Sequence, residues 1–256
     1  MKHSIFAIAL LLFCSCITPS KKETPNKPVE HPEESIPPQG TKTTQPLEKT
    51  TPSTTNNLVV QLKTGSSLED AKALITNSGL TWKANPLAPE YKSIALVVTP
   101  NGQRETWVQR LLQSNEFSTV VPQTKGTLEK LVNETKNTLI SLRKTSCFGD
   151  CPVYTFRIFK DGAAKYQGDD FVTEKGNRTF QLTNEELNKL LALLSATEAI
   201  TMEKKYDDPK ITDLSSTFIE VRNQQVQIRL WKDIPDPLIA LHEYTEGLLL
   251  QRKYFN

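Results

Sequence analysis

The sequence predicts an α+β protein built from two small domains, and three observations carry that prediction. From about residue 58 onward, strand-like apolar runs alternate with helical stripes, which favours mixed layers over an all-α or all-β core. Each main helical stripe follows a recognisable start signal such as Ser67, Thr183 or Pro237. Only 37% of the 256 residues are apolar, below the roughly 45–50% of an average soluble domain, so part of the chain must lie outside any core. With 31 basic and 29 acidic residues the net charge is +2, which excludes a strongly basic nucleic-acid binder and an acidic polyelectrolyte.

The N-terminus accounts for some of that non-core chain. Met1-Lys2-His3 is a basic start, Ile5 to Phe13 is apolar, and Cys14-Ser15-Cys16 follows at once. The apolar run is too short for the ~20 residues a membrane-spanning helix requires, so it reads as a secretion signal. The junction resembles the lipobox of bacterial lipoproteins, in which a small residue precedes a cysteine that is lipidated and becomes the new N-terminus. Cys16 after Ser15 fits that pattern better than Cys14 after Phe13, although Phe13 stands where the pattern usually has Leu. The resemblance implies a leader at residues 1–15 and a lipid on Cys16. Residues 16–57 then form a tether with prolines at 19, 25, 28, 32, 37, 38, 46 and 52 and almost no large apolar side chain. Such a segment cannot bury enough surface to order itself, and about 40 residues at about 3.1 Å each could reach roughly 100 Å from a membrane. His31 falls inside it and is expected to be inert.

The first folded unit is expected over 58–126. Leu58 to Lys63 reads as a strand ended by Thr64-Gly65. Ser67 with Asp70 opens a helix whose Leu68, Ala71, Leu74 and Ile75 share a face, and Gly79 stops it. Strands around Leu80 to Ala84 and Ser93 to Thr99, a helix near Arg104 to Gln113 and a strand from Phe117 to Val121 complete a βαββαβ order. That order suits a ferredoxin-like sandwich. The segments Val59-Val60-Gln61-Leu62-Lys63-Thr64-Gly65, Leu87-Ala88-Pro89-Glu90-Tyr91 and Phe117-Ser118-Thr119-Val120-Val121-Pro122 resemble the prodomains of subtilisin-type proteases and the inhibitor-like domains related to them. The resemblance implies protease inhibition, with Pro122-Gln123-Thr124-Lys125 as the segment entering the substrate groove. No protease domain follows it here.

The second unit is expected over 138–256. Leu139 to Lys144 is a leading strand. Tyr154, Phe156 and Ile158 alternate on one side of the next, and Asp161-Gly162 turns it into a hairpin ending near Gly168. Thr183 and Glu186 form a capping box before a helix carrying Leu187, Leu190, Leu191 and Leu194. A hairpin from Ser216 to Trp231, turning at Asn223-Gln224, and a helix with Leu238, Leu241, Leu248 and Leu249 inward complete the order ββαββα behind the leading strand. Both leucine stripes would be buried if the two helices covered one face of an antiparallel sheet. The run Cys147-Phe148-Gly149-Asp150-Cys151-Pro152-Val153-Tyr154, the Asp161-Gly162 turn and the loop Tyr206-Asp207-Asp208 to Asp213 resemble an uncharacterised domain family of bacterial envelope lipoproteins, over residues 138 to 250. That resemblance implies placement and boundaries, and no catalytic residue.

Candidate chemistry is sparse. Cys147 and Cys151 lie in a chain expected to enter an oxidising compartment, where a structural disulfide is the leading reading. A redox pair is the rival, but thioredoxin-like pairs use CxxC at a helix start, whereas this is CxxxC before a strand. Zinc would need further ligands, and His242 is the one histidine of the folded part. His242 reads as a packed helix residue, its alternative role being a base for a cysteine nucleophile. Asp207, Asp208 and Asp213 could hold a hard cation, but they lack the EF-hand spacing and read better as loop solvation and capping. The expectation is a lipid-anchored cell-envelope protein, at the outer membrane with its periplasmic and surface faces both open, acting as a non-enzymatic binding module. Its partners would be the membrane, through lipid, and an envelope protein, with no nucleic acid, cofactor or metal. The alternatives are a protease inhibitor through the first unit and a thiol oxidoreductase using Cys147 and Cys151.

Overall fold

A computed structural model describes residues 55–222 and 224–255. The expected leader, Cys16, His31 and the tether up to residue 54 lie outside the described residues. Among the described residues no helix is long and apolar enough to cross a membrane.

Strands β1 (Asn57–Leu62), β2 (Thr81–Ala84), β3 (Ile94–Val98) and β4 (Phe117–Pro122) form an antiparallel sheet in the order β2-β3-β1-β4. With α1 (Leu68–Asn77) and α2 (Arg104–Gln113) between them, this is the ferredoxin-like βαββαβ arrangement. The Ser67 hydroxyl accepts from the Asp70 amide at 3.2 Å, and Gly79 takes the left-handed backbone (φ 74°) that ends α1. Ala71 and Ile75 of α1 and Leu111 of α2 pack on Leu58, Val60, Ala95 and Val97.

The opposite face of this sheet is covered by a helix that the sequence patterns did not predict, α3 (Thr127–Asn137). Its Leu128 and Leu131 bury Val59, Ile94 and Leu96, which a one-sided sandwich would leave in water. Covering each such side chain stabilises the fold by about 1.5–3 kcal/mol. β1 is consequently buried on both faces, which explains its continuous apolar run.

The second sheet has seven strands in the order β8-β7-β6-β5-β10-β11-β9. Its long members are β5 (Thr138–Lys144), β6 (Val153–Phe159), β7 (Ala163–Asp170), β10 (Thr217–Val221) and β11 (Gln224–Ile228). The sequence reading missed two edge strands, β8 (Gly176–Gln181) and β9 (Lys205–Tyr206). β9 joins parallel to β11, so the expected antiparallel sheet is mixed at one edge. The hairpin turn also falls one residue earlier than expected, because Val221 pairs with Gln224 and Arg222 takes the left-handed backbone.

One face of this sheet carries Ile140, Leu142, Tyr154, Phe156, Ile158, Tyr166, Ile219 and Val226. α4 (Asn184–Glu198) and α5 (Asp236–Gln251) cover it with Leu190, Leu194, Leu238, Leu241, Leu248 and Leu249. Thr183 and Glu186 cap α4 reciprocally at 3.1 and 2.8 Å, and the same Glu186 carboxylate receives Arg252 at 2.8 Å, tying the start of α4 to the end of α5.

The other face is polar and meets the first sheet. Thr64 and Ser141 share a buried hydrogen bond of 2.7 Å, Arg143 donates to the Thr64 carbonyl at 2.9 Å, and the Gly65 amide donates to Gln225 at 2.7 Å. Gly65 has φ 92°, and a Cβ there would lie 2.6 Å from the Phe218 ring, so only glycine suits this approach. These contacts hold both sheets in one compact unit.

Candidate functional site

The most individual feature of the second sheet is the loop between β5 and β6. Cys147 and Cys151 are joined there as a disulfide, with Cα atoms 5.8 Å apart. Gly149 donates back to the Cys147 carbonyl at 3.1 Å within the closed ring. A second loop fastens it from the side: the Phe148 amide donates to the Asp213 carbonyl at 3.3 Å, and Thr145 and Ser216 exchange hydrogen bonds of 3.0 and 2.9 Å. Phe148 is left 91% exposed at the tip, with Ile211 and Leu214 also exposed on the second loop. The ring closes a connection between two strands with no helix N-terminus behind it, so the dipole that activates thioredoxin-like thiols is missing.

Beneath the loop lies a half-buried polar cluster centred on Glu246 of α5. Lys144, the last residue of β5, meets one of its carboxylate oxygens at 2.6 Å, and the Tyr154 hydroxyl donates to the same oxygen at 2.8 Å. The other oxygen stands 3.5 Å from His242 Nε2, and Trp231 packs over the imidazole with ring centres 4.4 Å apart. Burial pushes the Glu246 carboxyl upward, but the hydrogen bond and charge of Lys144, aided by His242 and Tyr154, outweigh it and hold the group below the ordinary range. Burial, and then the Glu246 charge, drive the Tyr154 phenol well above its usual value. Burial lowers His242 to about 4; Glu246 opposes that shift and Lys144 adds to it. His242 is therefore neutral at pH 7 and packed, as expected.

The cluster joins β5, β6 and α5 at the root of the disulfide loop. Lys144, Tyr154 and Glu246 are committed to one another, which suits a support, while His242 Nε2 is left without a hydrogen-bond partner among the described residues. Tyr154 was legible as a core residue of the Cys147–Tyr154 run, but Lys144 and Glu246 were not singled out. The available signal was a carboxylate four residues after His242, on the same helix face.

The acidic loop behaves differently from the solvated loop expected. Asp207 has a side chain only 6% exposed and pairs with Lys205 at 2.9 Å and Arg229 at 3.1 Å. The hydrogen bond from Lys205, followed by that from Arg229, holds its carboxyl below the usual range against its burial. It is a structural pin of the loop on β11. Asp208 accepts from the Lys210 amide at 3.0 Å, and Asp213 takes the left-handed backbone whose carbonyl receives Phe148. The three carboxylates do not converge, and among the described residues no three His, Cys, Asp or Glu side chains group to hold a metal.

Fold and site together define an α+β protein with a ferredoxin-like sheet, a seven-stranded mixed sheet and a disulfide-closed loop on a half-buried Lys-Glu-Tyr support. Residues 138–249 match the family model described as Domain of unknown function (DUF6438), a span containing the loop, the support and most of α5. No curated protein and no solved structure matches the chain.

Proposed function

We propose that this is a lipid-anchored cell-envelope protein that acts by binding a protein partner and not by catalysis. The observation that carries the reading is Phe148, 91% exposed on a loop closed by a disulfide and tied to the Asp213 loop. Holding a large apolar side chain in water on a rigid mount forgoes about 1.5–3 kcal/mol that its burial would return, and pre-ordering the loop lowers the entropy cost of docking. The anchor rests on the basic start, the short apolar run and Cys16. A lipid there contributes about 0.8 kcal/mol per buried CH₂.

Both halves are open to experiment. A photo-crosslinking residue placed at position 148 of the full chain, expressed in envelope-bearing cells, should yield a discrete protein adduct that the same residue at exposed Lys175 does not. An identical adduct pattern from both positions refutes the docking role. Cys16→Ala should release the chain from the membrane fraction, and its retention there refutes the anchor.

The protease-inhibitor reading has one observation in its favour, the βαββαβ order with strands β2-β3-β1-β4. Against it, Gln123 is held by the Asn57 carbonyl at 2.9 Å and the chain enters α3 at Thr127, so the segment after β4 is tethered at both ends. Inhibition of a subtilisin-type protease by micromolar full chain would restore that reading.

A further inference from the structure

At the strand ends opposite the disulfide loop, a cleft of about 670 Å³ opens between the two sheets. Its floor is a register row of the second sheet. Ser141 of β5 pairs with Arg157 of β6 on one side and with Glu220 of β10 on the other. Arg157 and Glu220 are therefore two strands apart, roughly 10 Å between backbones at about 4.8 Å per strand. Among the described residues neither forms an ion pair. Arg157 donates only to neutral oxygens, Ser118 at 3.3 Å and Gln61 at 3.5 Å, and Glu220 accepts only from Thr64, at 3.5 Å. All these contacts are at the long end of hydrogen-bond geometry. By contrast, Lys144 and Glu246, at the other end of the same sheet, close to 2.6 Å.

The walls bias the cleft further. Lys63, Lys92, Lys136 and Lys160 line it, and Arg222, also in its lining, is already paired with Glu198 at 2.6 Å. The cations thus exceed the carboxylates. Ser141, between Arg157 and Glu220 in the register, and Thr64, which also reaches Glu220, place hydroxyls joined to one another at 2.7 Å and able to turn a proton toward a ligand. Burial raises the Glu220 carboxyl above its ordinary range, with the Arg157 charge opposing, as expected of an acid held away from water and imperfectly matched.

We propose that this cleft is a binding site for a metabolite-sized ligand that presents an oxyanion, a phosphate or a carboxylate, to Arg157. A guanidinium is a planar fork of donors matched to such a group, and the flanking hydroxyls extend the donor set. The lysines raise the local concentration of anions and speed their arrival. Glu220 shapes selectivity: a second negative charge on its side of Ser141 is repelled, while a hydroxyl or ammonium there is accepted. The volume falls within the roughly 300–1,000 Å³ typical of small-molecule sites. The site is independent of the lipid anchor and of the Phe148 loop, so it stands or falls separately from the proposed function.

The test uses the purified full chain titrated with inorganic phosphate and, separately, with succinate, followed by NMR and calorimetry. Saturable binding should shift resonances of Arg157, Ser141 and Glu220, and the probe that saturates at the lower concentration identifies the oxyanion. Arg157→Gln should weaken that binding about ten-fold or more, because a charge-assisted contact is lost. Arg157→Lys, which retains the charge without the fork, should give an intermediate loss. Glu220→Gln should tighten binding of the bare anion, by about 2-fold if the cleft is water-like and by about 15-fold at an effective dielectric near 20. Thermal unfolding of each variant checks folding, and Glu220→Gln decides the matter should Arg157→Gln unfold. The proposal is overturned if neither probe saturates below about 10 mM, or if Glu220→Gln leaves the affinity unchanged, or if the shifts fall only on exposed lysines and survive Arg157→Gln.

Discussion

Acidification should destabilise this protein well above the pH at which carboxylates protonate, because His242 is buried in neutral form. Burial, reinforced by Lys144 and opposed by Glu246, lowers its pKa from 6.5 to about 4. The unfolded chain therefore takes up a proton near pH 6.5, while the folded chain does not until about pH 4. Between those values the unfolded state binds more protons, so stability falls as pH falls, by at most about 1.4 kcal/mol per pH unit. Relative to pH 7.5 the loss is about 1.4 kcal/mol at pH 5.5 and about 2.5 kcal/mol at pH 4.5. For a unit of this size the first figure corresponds to about 3–6 °C in Tm. Urea unfolding of the wild type and of His242→Gln at pH 7.5, 6.5, 5.5 and 4.5 isolates the effect. Gln keeps a polar group of similar reach without a titrating proton. The variant starts less stable because the Trp231 contact is altered, but its stability should not fall from pH 7.5 to 5.5 while the wild type declines relative to it. The shifted carboxylates do not mimic this loss: Glu246, held below its ordinary range, contributes stability that is lost only as pH falls through its folded value, and Glu220, raised by burial, gains stability as pH falls, equally in both proteins. Parallel losses in the two proteins between pH 7.5 and 5.5 would refute the assignment.

Three further outcomes follow from the same geometry. Glu246→Gln removes the charge shared by Lys144 and Tyr154 but not the shape, and should cost about 2–3 kcal/mol in urea unfolding at pH 7, against about 1 kcal/mol for Tyr154→Phe. Gly65→Ala combines a left-handed φ of 92° with a Cβ 2.6 Å from Phe218, and should cost about 1–3 kcal/mol, partly relieved when Phe218→Ala is added in a double-mutant cycle. Reduction of Cys147–Cys151 opens a five-residue loop and should lower stability by about 2 kcal/mol, measured by thermal unfolding with and without dithiothreitol; fully free thiols in untreated envelope extracts, detected by alkylation and mass spectrometry, would contradict the structural disulfide.

What was legible in the sequence is what local chemistry decides. Ser67, Gly79, the Thr183–Glu186 box and the Asp161-Gly162 turn each satisfy backbone groups within a few residues, and each stands where the sequence patterns put it. The omissions have physical causes. α3 begins at Gly126 with no side-chain cap, and it fits the first sheet through little more than Leu128 and Leu131. β8 is an edge strand exposed along nearly its whole length, so it has no apolar alternation to detect. Glu246 lies among leucines, and a single carboxylate on a helix gives no sign that a lysine 102 positions earlier will reach it.

The polar alternation of the second sheet orders the functional possibilities. Alternation separates two faces but cannot say what covers the polar one. Ser141, Arg157 and Glu220 stand in one register row on that polar face, and the first sheet covers them, with Ser141 buried. Water on an open face would satisfy a guanidinium and a carboxylate at no cost in specificity, whereas under a second sheet each must find a partner or leave stability unrealised. At the other end of the same strands the charges have found partners: Lys144, Glu246 and Tyr154 close on one another, and Asp207 closes on Lys205 and Arg229. At one end of the sheet the charged groups are thus paired with one another and Phe148 stands exposed, while the other end holds opposite charges apart across a cleft. A ligand filling that cleft would raise stability by mass action, about 2.7 kcal/mol at a hundred times its dissociation constant, whereas a partner docked on Phe148 would leave the Arg157–Glu220 row untouched. Thermal unfolding in the presence of phosphate therefore separates the two ends by a single variant: the upward shift in Tm should vanish in Arg157→Gln and persist in Phe148→Ala.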